Sequence, residues 1–295
     1  MSKTVKIITL IIILSAGMFF SASLHAEEPV IDIKTSGYQG DAVFATIADP
    51  DSNIIGAAFW NNLEYKLFNK GPVLQAILSI PVEAAPGESS IKFLLTKDKG
   101  MDGYSSFEII KTVNIKAKKF PAQYLTLSKT QKQNYHSKTK DDEDDILDAR
   151  IMTYSNERLW KGNFTSPCRG PVVTQLGTRR YHNGEYYNFH KGIDIAAPQG
   201  APVCAAGSGK VVFAKYIPVV YGNTIVVDHG QGVTSLYIHL SKMEVKENQD
   251  VKKNQLIGRV GATGTSSGPH LHWGLFVNGE AVNPQCFYNM PEEFK

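Results

Sequence analysis

The sequence predicts a predominantly all-β fold with an N-terminal β-sandwich, a short helical connector and a C-terminal Gly-rich antiparallel β-sheet. Short apolar runs separated by turn residues fill residues 28–118, and a polar, acidic stretch follows them. From residue 163 onward, strand-like runs alternate with glycine-containing turns. The 295 residues suffice for about two domains, and the 42% hydrophobic content is that of an ordinary globular protein.

Residues 1–26 have the layout of a secretory signal peptide. Lys3 and Lys6 precede the apolar run 7–20, and the small-residue stretch SASLHA follows it. This order predicts cleavage after Ala26 and export. The alternative, an uncleaved membrane anchor, needs a longer apolar run. Without the two lysines the formal net charge of +3 falls to +1, which excludes the basic footprint of a nucleic-acid-binding protein.

Residues 27–118 are predicted to form the sandwich. Apolar runs of strand length share this region, separated by turn signals such as Asn-Lys-Gly-Pro and Ala-Pro-Gly. The runs are AVFATIA (42–48), AAFW (57–60), VLQAILSI (73–80), SIKFLLTK (90–97) and FEIIKTVNIKA (107–117). Several short strands at this spacing are typical of a small two-sheet sandwich.

Residues 119–162 are predicted to be a helical, polar connector. Its acidic block, 141–145, precedes the apolar residues Ile146 and Leu147. Carboxylates in the first turns of a helix are favoured by the helix dipole, so we expect a solvated helix start here. A calcium site is the alternative, but no glycine-turned loop spaces the oxygens.

The C-terminal region, 163–295, contains all three cysteines of the chain: Cys168, Cys204 and Cys286. One disulfide with one free thiol suits an oxidising compartment, although the sequence does not select the pair. A zinc site built from these cysteines is disfavoured because they lack C-x-x-C spacing.

The stretch GPHLHWGLF places two histidines, His270 and His272, one residue apart in an apolar run. Side chains alternate along a strand, so both imidazoles face one side and Leu271 and Trp273 face the other. Two adjacent imidazoles suggest a metal ligand, an acid–base pair or both. The alternative is a pair of hydrogen-bonded core histidines.

Two further stretches carry polar side chains between apolar ones. In FHKGIDIAAP, His190 precedes Asp194 by four residues, and a buried carboxylate next to isoleucines needs a partner such as a shared metal. In SLYIHL, alternation predicts that His239 shares a face with Tyr237. By contrast, His182 and His229 are predicted to be surface or turn histidines.

A catalytic zinc needs three protein ligands and an open position. His190, Asp194 and one of the paired histidines meet that count. The remaining imidazoles can act as general acid or base because their unperturbed pKa lies near neutrality.

Five segments of residues 165–290 follow one another along the chain: TQLGTRR, HKGIDIAAPQGAPVCAAGSGKV, YGNTIVVDHG, YIHL and GRVGATGTSSGPHLHWG. In these segments and in their order, the region resembles the M23 (LytM/lysostaphin-type) zinc metallopeptidases. The resemblance implies one zinc ion per chain, ligated by His190, Asp194 and His272. It also implies that His239 and His270 form the catalytic pair. Tyr186 or Tyr187, in the loop before His190, is a further candidate donor.

The sequence departs from the family pattern at two kinds of position. Asn248 and Asn254 stand where glycine is common, and asparagine is the next-best residue for a positive φ. Gly274 stands where many members have glutamate, and its missing side chain predicts a wider groove.

The resemblance implies an exported zinc endopeptidase that hydrolyses peptide cross-links of peptidoglycan in the periplasm or cell envelope. The domain order is similar to that of envelope members with an N-terminal Ig-like domain, and that domain could make an autoinhibitory contact. No membrane span is expected after signal cleavage. The alternatives are a non-catalytic LytM-type regulator of cell-wall amidases and a protease of Gly-rich protein substrates.

Overall fold

The computed structural model describes residues 28–48, 54–135 and 137–295. These residues form mainly β-strands, which confirms the predominantly all-β fold. The predicted signal peptide, 1–26, lies outside the described residues. Within the described ranges, no helix is long and apolar enough to cross a membrane.

The N-terminal strands form two sheets. The strands are β1 (Val30–Ile33), β2 (Ser36–Tyr38), β3 (Ala42–Ala48), β4 (Ile54–Trp60), β5 (Leu63–Lys66), β6 (Phe68–Lys70), β7 (Val73–Ser79), β8 (Gly87–Asp98) and β9 (Tyr104–Lys116). One sheet has the order β1-β3-β7-β6 and the other β2-β9-β8-β4-β5, in which only β2 and β9 pair in parallel. The hydroxyls of Tyr65 and Ser79 lie 2.8 Å apart and join the sheets inside the core. All five predicted runs are therefore strands.

The connector is partly helical, as predicted, and also contains a strand. It comprises β10 (Ala122–Leu125), α1 (Lys129–Tyr135) and α2 (Lys138–Ile151). Ser137 caps α2 by accepting a hydrogen bond from the backbone N–H of Lys140. The acidic block lies within α2, as the dipole argument requires, but it is not wholly solvated. Glu143 is buried and accepts from the backbone N–H groups of Val219 and Val220 at 2.8 and 3.2 Å.

The C-terminal region is built on an eight-stranded sheet. Its strands are β11 (Val172–Thr174), β12 (Arg179–His182), β13 (Glu185–Phe189), β14 (Ile193–Ala196), β15 (Pro202–Cys204), β16 (Gly209–Ile217), β17 (Gly222–Gly230), β18 (Val233–Leu240), β19 (Lys242–Met243), β20 (Asp250–Val251), β21 (Leu256–Arg259), β22 (His270–Val277) and β23 (Glu280–Ala281). The short helix α3 (Gln285–Tyr288) follows them. The large sheet runs β11-β14-β22-β18-β17-β16-β20, with β23 on β22. Smaller sheets are β15-β21-β19 and β10-β12-β13, and the parallel pair β10–β12 joins the connector to this region.

The two faces of the large sheet belong to different cores. Leu271 and Trp273 of β22 lie in the main core, which also includes the inner residues of the N-terminal sheets. Phe276, on the opposite face of β22, packs in a second core with Leu147 and Ile151 of α2. Because α2 covers this second face, the connector forms part of the C-terminal unit.

Two local expectations have opposite outcomes. Asn248 and Asn254 both have φ of 68°, which confirms that asparagine supplies the left-handed turns here. The expected disulfide is contradicted, because Cys168, Cys204 and Cys286 are all free thiols. The Sγ of Cys286 instead accepts a hydrogen bond from the backbone N–H of Ala42 at 3.4 Å.

Candidate metallopeptidase site

Strand register places the candidate ligands Asp194 and His272 side by side. β14 and β22 are antiparallel, with Asp194 directly opposite His272 and Ala196 opposite His270. Directly opposed residues on one face have Cβ atoms about 5 Å apart, so these side chains meet above the sheet. His190 precedes β14, and its backbone exchanges hydrogen bonds with Gly177 and Thr178.

His190, Asp194 and His272 converge on one point. The Nε2 of His190 lies 2.7 Å from Nδ1 of His272 and 2.9 Å from Oδ1 of Asp194, which is 3.0 Å from Nδ1 of His272. All three side chains are buried. Within the described ranges, this is the one group of His, Cys, Asp and Glu side chains whose atoms could share a metal.

The donor set fits zinc. The Nδ1 of His190 donates to the carbonyl oxygen of Gln175 at 3.2 Å, which leaves a lone pair on Nε2. That lone pair faces a carboxylate oxygen and a nitrogen of His272, an arrangement that a cation among them stabilises. Tetrahedral zinc with bonds of about 2.1 Å separates its ligand atoms by about 3.4 Å, so a small outward shift of these side chains accommodates it.

Glycine is required at position 192, between the candidate ligands His190 and Asp194. A Cβ atom on Gly192 would lie 2.6 Å from the carbonyl oxygen of Trp273 and 2.8 Å from Nε2 of His272. The H-x-G-x-D spacing therefore allows β14 to approach β22 closely enough for Asp194 to meet His272.

His239 reaches the same cavity by a route that alternation did not predict. Its φ is 62°, a left-handed conformation that non-glycine residues rarely adopt. Tyr237 lies in the main core, whereas His239 lines the cavity beside Ile238. The prediction that Tyr237 and His239 share a face is therefore wrong, because the left-handed residue interrupts the alternation of β18.

Backbone carbonyls orient the rings of His239 and His270. Nδ1 of His239 donates to the carbonyl oxygen of Thr263, and Nδ1 of His270 donates to that of Gly268, both at 2.9 Å. Each ring thus keeps its Nε2 lone pair. Nε2 of His270 lies 3.8 Å from Oδ1 of Asp194, and the centroids of the His239 and His270 rings are 5.0 Å apart.

Burial keeps the imidazoles of His190, His239 and His272 neutral. It lowers the pKa of His239 to about 3 and that of His272 to about 4, and it also lowers the pKa of His190. Burial would raise the pKa of Asp194, but contacts with the His190 and His272 rings outweigh it and hold this pKa below its ordinary range. At neutral pH the cluster therefore offers uncharged imidazole nitrogens and one carboxylate.

The five side chains open onto a cavity of about 580 Å³. One wall is β14, β18 and β22, and the opposite wall is β10, α1 and α2 of the connector. Tyr187 lines this cavity, whereas Tyr186 turns away and donates to Glu83 at 2.9 Å. Of the two candidate tyrosines, only Tyr187 is placed near the cluster.

Two further histidines differ from expectation. His182 is buried in the cavity wall and stacks on Tyr187, with ring centroids 4.1 Å apart. His229 is fully buried, with its ring nitrogens 2.8 Å from the carbonyl oxygen of Ser208 and 2.7 Å from Oγ of Ser235. The prediction of surface histidines is wrong for both, because strand packing covers them.

The missing side chain of Gly274 does not widen the groove. A Cβ atom there would lie 2.6 Å from the ring of Phe276, which occupies the space and itself lines the cavity. The expected widening is therefore wrong.

One cavity residue escaped the sequence argument. Arg180, in the TRR stretch, lies in the cavity wall, with Nη2 4.0 Å from Oδ2 of Asp194. Its position at the end of the matching segment TQLGTRR was the only signal in the sequence, and that signal does not distinguish it from Arg179.

Comparison with known proteins identifies the region that holds this site. Residues 188–284 match the model of peptidase family M23. Over 113 residues the chain is 46% identical to the DD-carboxypeptidase/endopeptidase Mpg of Neisseria meningitidis serogroup B, covering 38% of this chain and 26% of that protein. Over 141 residues it is 36% identical to the peptidoglycan DD-endopeptidase ShyA of Vibrio cholerae, covering 47% and 30%. Residues 188–284 therefore form an M23 peptidase region.

A solved structure extends the similarity beyond the M23 region. A crystal structure from Pseudomonas aeruginosa, described as a candidate peptidase M23, matches with a TM-score of 0.61 and 25% identity. The match covers 85% of this chain and 94% of that one. In contrast, the segments matched in Mpg and ShyA span less than a third of those proteins' own length.

Proposed function

We propose that this chain is an exported zinc metalloendopeptidase that hydrolyses peptide cross-links of peptidoglycan. The observation that carries the proposal is the convergence of His190, Asp194 and His272, with His239 and His270 beside them, in one open cavity. Two relatives that share this region are named as a peptidoglycan DD-endopeptidase and a DD-carboxypeptidase/endopeptidase.

His190, Asp194 and His272 would hold the zinc ion. When bound, zinc supplies a Lewis acid that polarises a carbonyl group and lowers the pKa of a water molecule. The carbonyl of Gln175 keeps the Nε2 lone pair of His190 directed at the ligand cluster. The imidazoles of His190 and His272 are neutral, which suits them to bind zinc, since a protonated ring cannot ligate a cation.

His239 and His270 would carry the proton transfers of amide hydrolysis. Each has Nδ1 engaged by a backbone carbonyl, so Nε2 is the basic nitrogen that faces the cavity. The ring that takes the proton of the attacking water becomes a cation and a hydrogen-bond donor. It then stabilises charge on the carbonyl oxygen and returns the proton to the leaving amine.

The two alternative functions differ in whether they need the five side chains of the site. A non-catalytic regulator of cell-wall amidases has no need of five converging side chains with hydrogen-bonded rings. A protease of Gly-rich proteins would use the same chemistry, so only the substrate distinguishes it.

The deciding experiment is digestion of purified cross-linked peptidoglycan, with products resolved by mass. We expect dimeric muropeptides to fall to monomers, and a chelator to stop the reaction until zinc is restored. Asp194→Asn should lose bound zinc and lower the rate at least about 100-fold, because it removes an anionic ligand. Asp250→Asn, at an exposed aspartate, is the matched control and should behave like the unmodified chain.

The outcomes separate the candidates. Bound zinc without cleavage of peptidoglycan, but with cleavage of Gly-rich polypeptides, would favour the protein protease. Cleavage of neither substrate, together with stimulation of a cell-wall amidase, would favour the regulator.

We place this activity in the cell envelope, with peptidoglycan peptide stems as the partner. We also propose that the N-terminal domain, 27–118, restrains the site. The support is proximity: residues 81–83 line a small cavity that shares Phe189 and Lys191 with the main one. The described residues that line the main cavity all follow residue 122, so restraint would act at its opening rather than by filling it.

A further inference from the structure

Arg180 presents unused hydrogen-bonding capacity to the cavity. The structure gives its buried Nε no hydrogen-bond acceptor. Nη2 lies 4.0 Å from Asp194, beyond hydrogen-bond distance. A planar guanidinium with free donors is suited to gripping a carboxylate with two parallel hydrogen bonds.

The other cations of the cavity wall are arranged differently. Lys140, on α2, forms an ion pair with Asp144 of the same helix. Lys191 is exposed at the point where the two cavities meet. Among the cationic side chains that the structure places on this wall, Arg180 lies 4.0 Å from the candidate ligand Asp194 and has a buried donor, Nε, without an acceptor.

The position of Arg180 also defines which part of a substrate it can reach. Oδ1 of Asp194 faces the imidazoles, whereas Oδ2 is the oxygen nearest Arg180. The guanidinium therefore lies beside the Asp194 carboxylate, next to the oxygen that does not face the imidazoles. In a peptide whose leaving residue carries a free carboxylate, only the amide nitrogen and one carbon separate that carboxylate from the scissile carbonyl.

We propose that Arg180 determines specificity by binding a carboxylate on the residue that supplies the scissile amide nitrogen. The inference rests on the proposed peptidase function and names its substrate class. That class is a cross-linked or terminal peptide with a free carboxylate next to the cleaved bond. Arg180 contributes to substrate recognition and takes no part in proton transfer.

The test uses two synthetic cross-linked peptide dimers that differ only at the carbon bearing the scissile nitrogen. One carries a carboxylate there and the other a carboxamide. The unmodified chain should cleave the carboxylate dimer with a kcat/KM about 10- to 100-fold higher, the effect of a hydrogen-bonded charge pair. Arg180→Gln should remove this preference by slowing only the carboxylate dimer, and Arg180→Lys should keep part of it. Arg179→Gln, at the exposed neighbouring arginine, is the matched control and should keep the preference.

A binding measurement separates recognition from catalysis. In the His270→Ala background, calorimetry should show tighter binding of the carboxylate dimer, and adding Arg180→Gln should abolish the difference. Zinc content should be unchanged by Arg180→Gln.

Three results would overturn the inference: equal kcat/KM for both dimers, equal slowing of both by Arg180→Gln, or loss of zinc in that variant. The last two would make Arg180 a positioning residue for Asp194. If neither dimer nor peptidoglycan is cleaved, the proposed function fails, while the binding difference still decides whether Arg180 recognises a carboxylate.

Discussion

At the scale of single residues, backbone and burial give the histidines of this chain their distinct roles. A non-glycine residue with positive φ costs about 1–3 kcal/mol, and His239 adopts it in the wall of the cavity. The strain is held by hydrogen bonds from its backbone N–H to Tyr221 and from Nδ1 to Thr263. His229 is just as buried but bonds only to Ser208 and Ser235, away from the cluster.

The free energy of unfolding should decrease on acidification because of His229. Burial lowers its pKa from 6.5 to about 4, so the unfolded chain binds a proton more readily. The stabilisation is complete above pH 6.5, is lost as the pH falls from 6.5 towards 4, and amounts to roughly 3 kcal/mol. Urea unfolding between pH 4 and 8 measures this loss.

The comparison is with His229→Gln, which cannot titrate. This variant should be less stable at pH 7.5 but should lose less stability on acidification. Other buried histidines titrate in both proteins, so the difference between the two curves isolates His229. Parallel curves would contradict the prediction.

At the scale of elements, α2 is the part of the connector that shapes the site. It packs across β16, β17 and β18, and its acidic residues hold the turn between β16 and β17. Glu143 accepts two backbone N–H groups there, and Asp144 accepts from the hydroxyl of Tyr221. The acidic block thus anchors the helix that forms one wall of the cavity.

Removing the Glu143 carboxylate should loosen this wall. Glu143→Ala leaves the backbone N–H groups of Val219 and Val220 without their acceptor, so we expect a loss of about 1.5–3 kcal/mol. Asp145→Ala, at an exposed position of the same block, should change stability by less than about 0.5 kcal/mol. Chemical denaturation measures both, and limited proteolysis within the connector should accelerate only in the first. Equal effects of the two substitutions would mean that the anchor is not what holds α2.

Features that depend on residues close together in the sequence were predicted correctly, whereas features that depend on contacts between distant strands were not. The five strands of the sandwich and the shared face of His270 and His272 follow from alternation, which is local. The H-x-G-x-D spacing and the turn asparagines are likewise local. The left-handed conformation of His239, the burial of His229 and the filling of the Gly274 site by Phe276 depend on neighbouring strands, so the local pattern gave the wrong expectation.

At the scale of the whole molecule, the N-terminal sandwich and the M23 region share one core. Phe44 of β3 packs edge-on against Phe287 and Phe294, with ring centroids 5.7 and 4.9 Å apart. Arg158, which follows α2 in the connector, donates to Gln75 of β7 at 3.0 Å and to Gln231 at 3.2 Å. A continuous core with buried polar links predicts that the two regions unfold together.

Arg158→Ala should uncouple them. The substitution leaves the buried Gln75 side-chain oxygen without its donor, so we expect a loss of about 2 kcal/mol and a single calorimetric transition that splits into two. Arg150→Ala, at an exposed arginine on α2, is the control and should leave one transition.

The same variant tests the proposed restraint of the site. If residues 27–118 limit access, Arg158→Ala should hydrolyse cross-linked peptidoglycan faster than the unmodified chain. Unchanged rates with a split transition would leave the sandwich a structural role only.

The residue pattern alone predicted the all-β class and the M23 resemblance, which are confirmed, and also the order of the regions and the five candidate site residues. These features are encoded in periodicity and in short spacings, which act within a few residues along the chain. Strand register and packing determined the rest: which imidazoles meet Asp194, the approach allowed by Gly192, the connector wall and the place of Arg180. Such contacts join residues far apart in sequence, and their energies arise only when the sheets and α2 pack together.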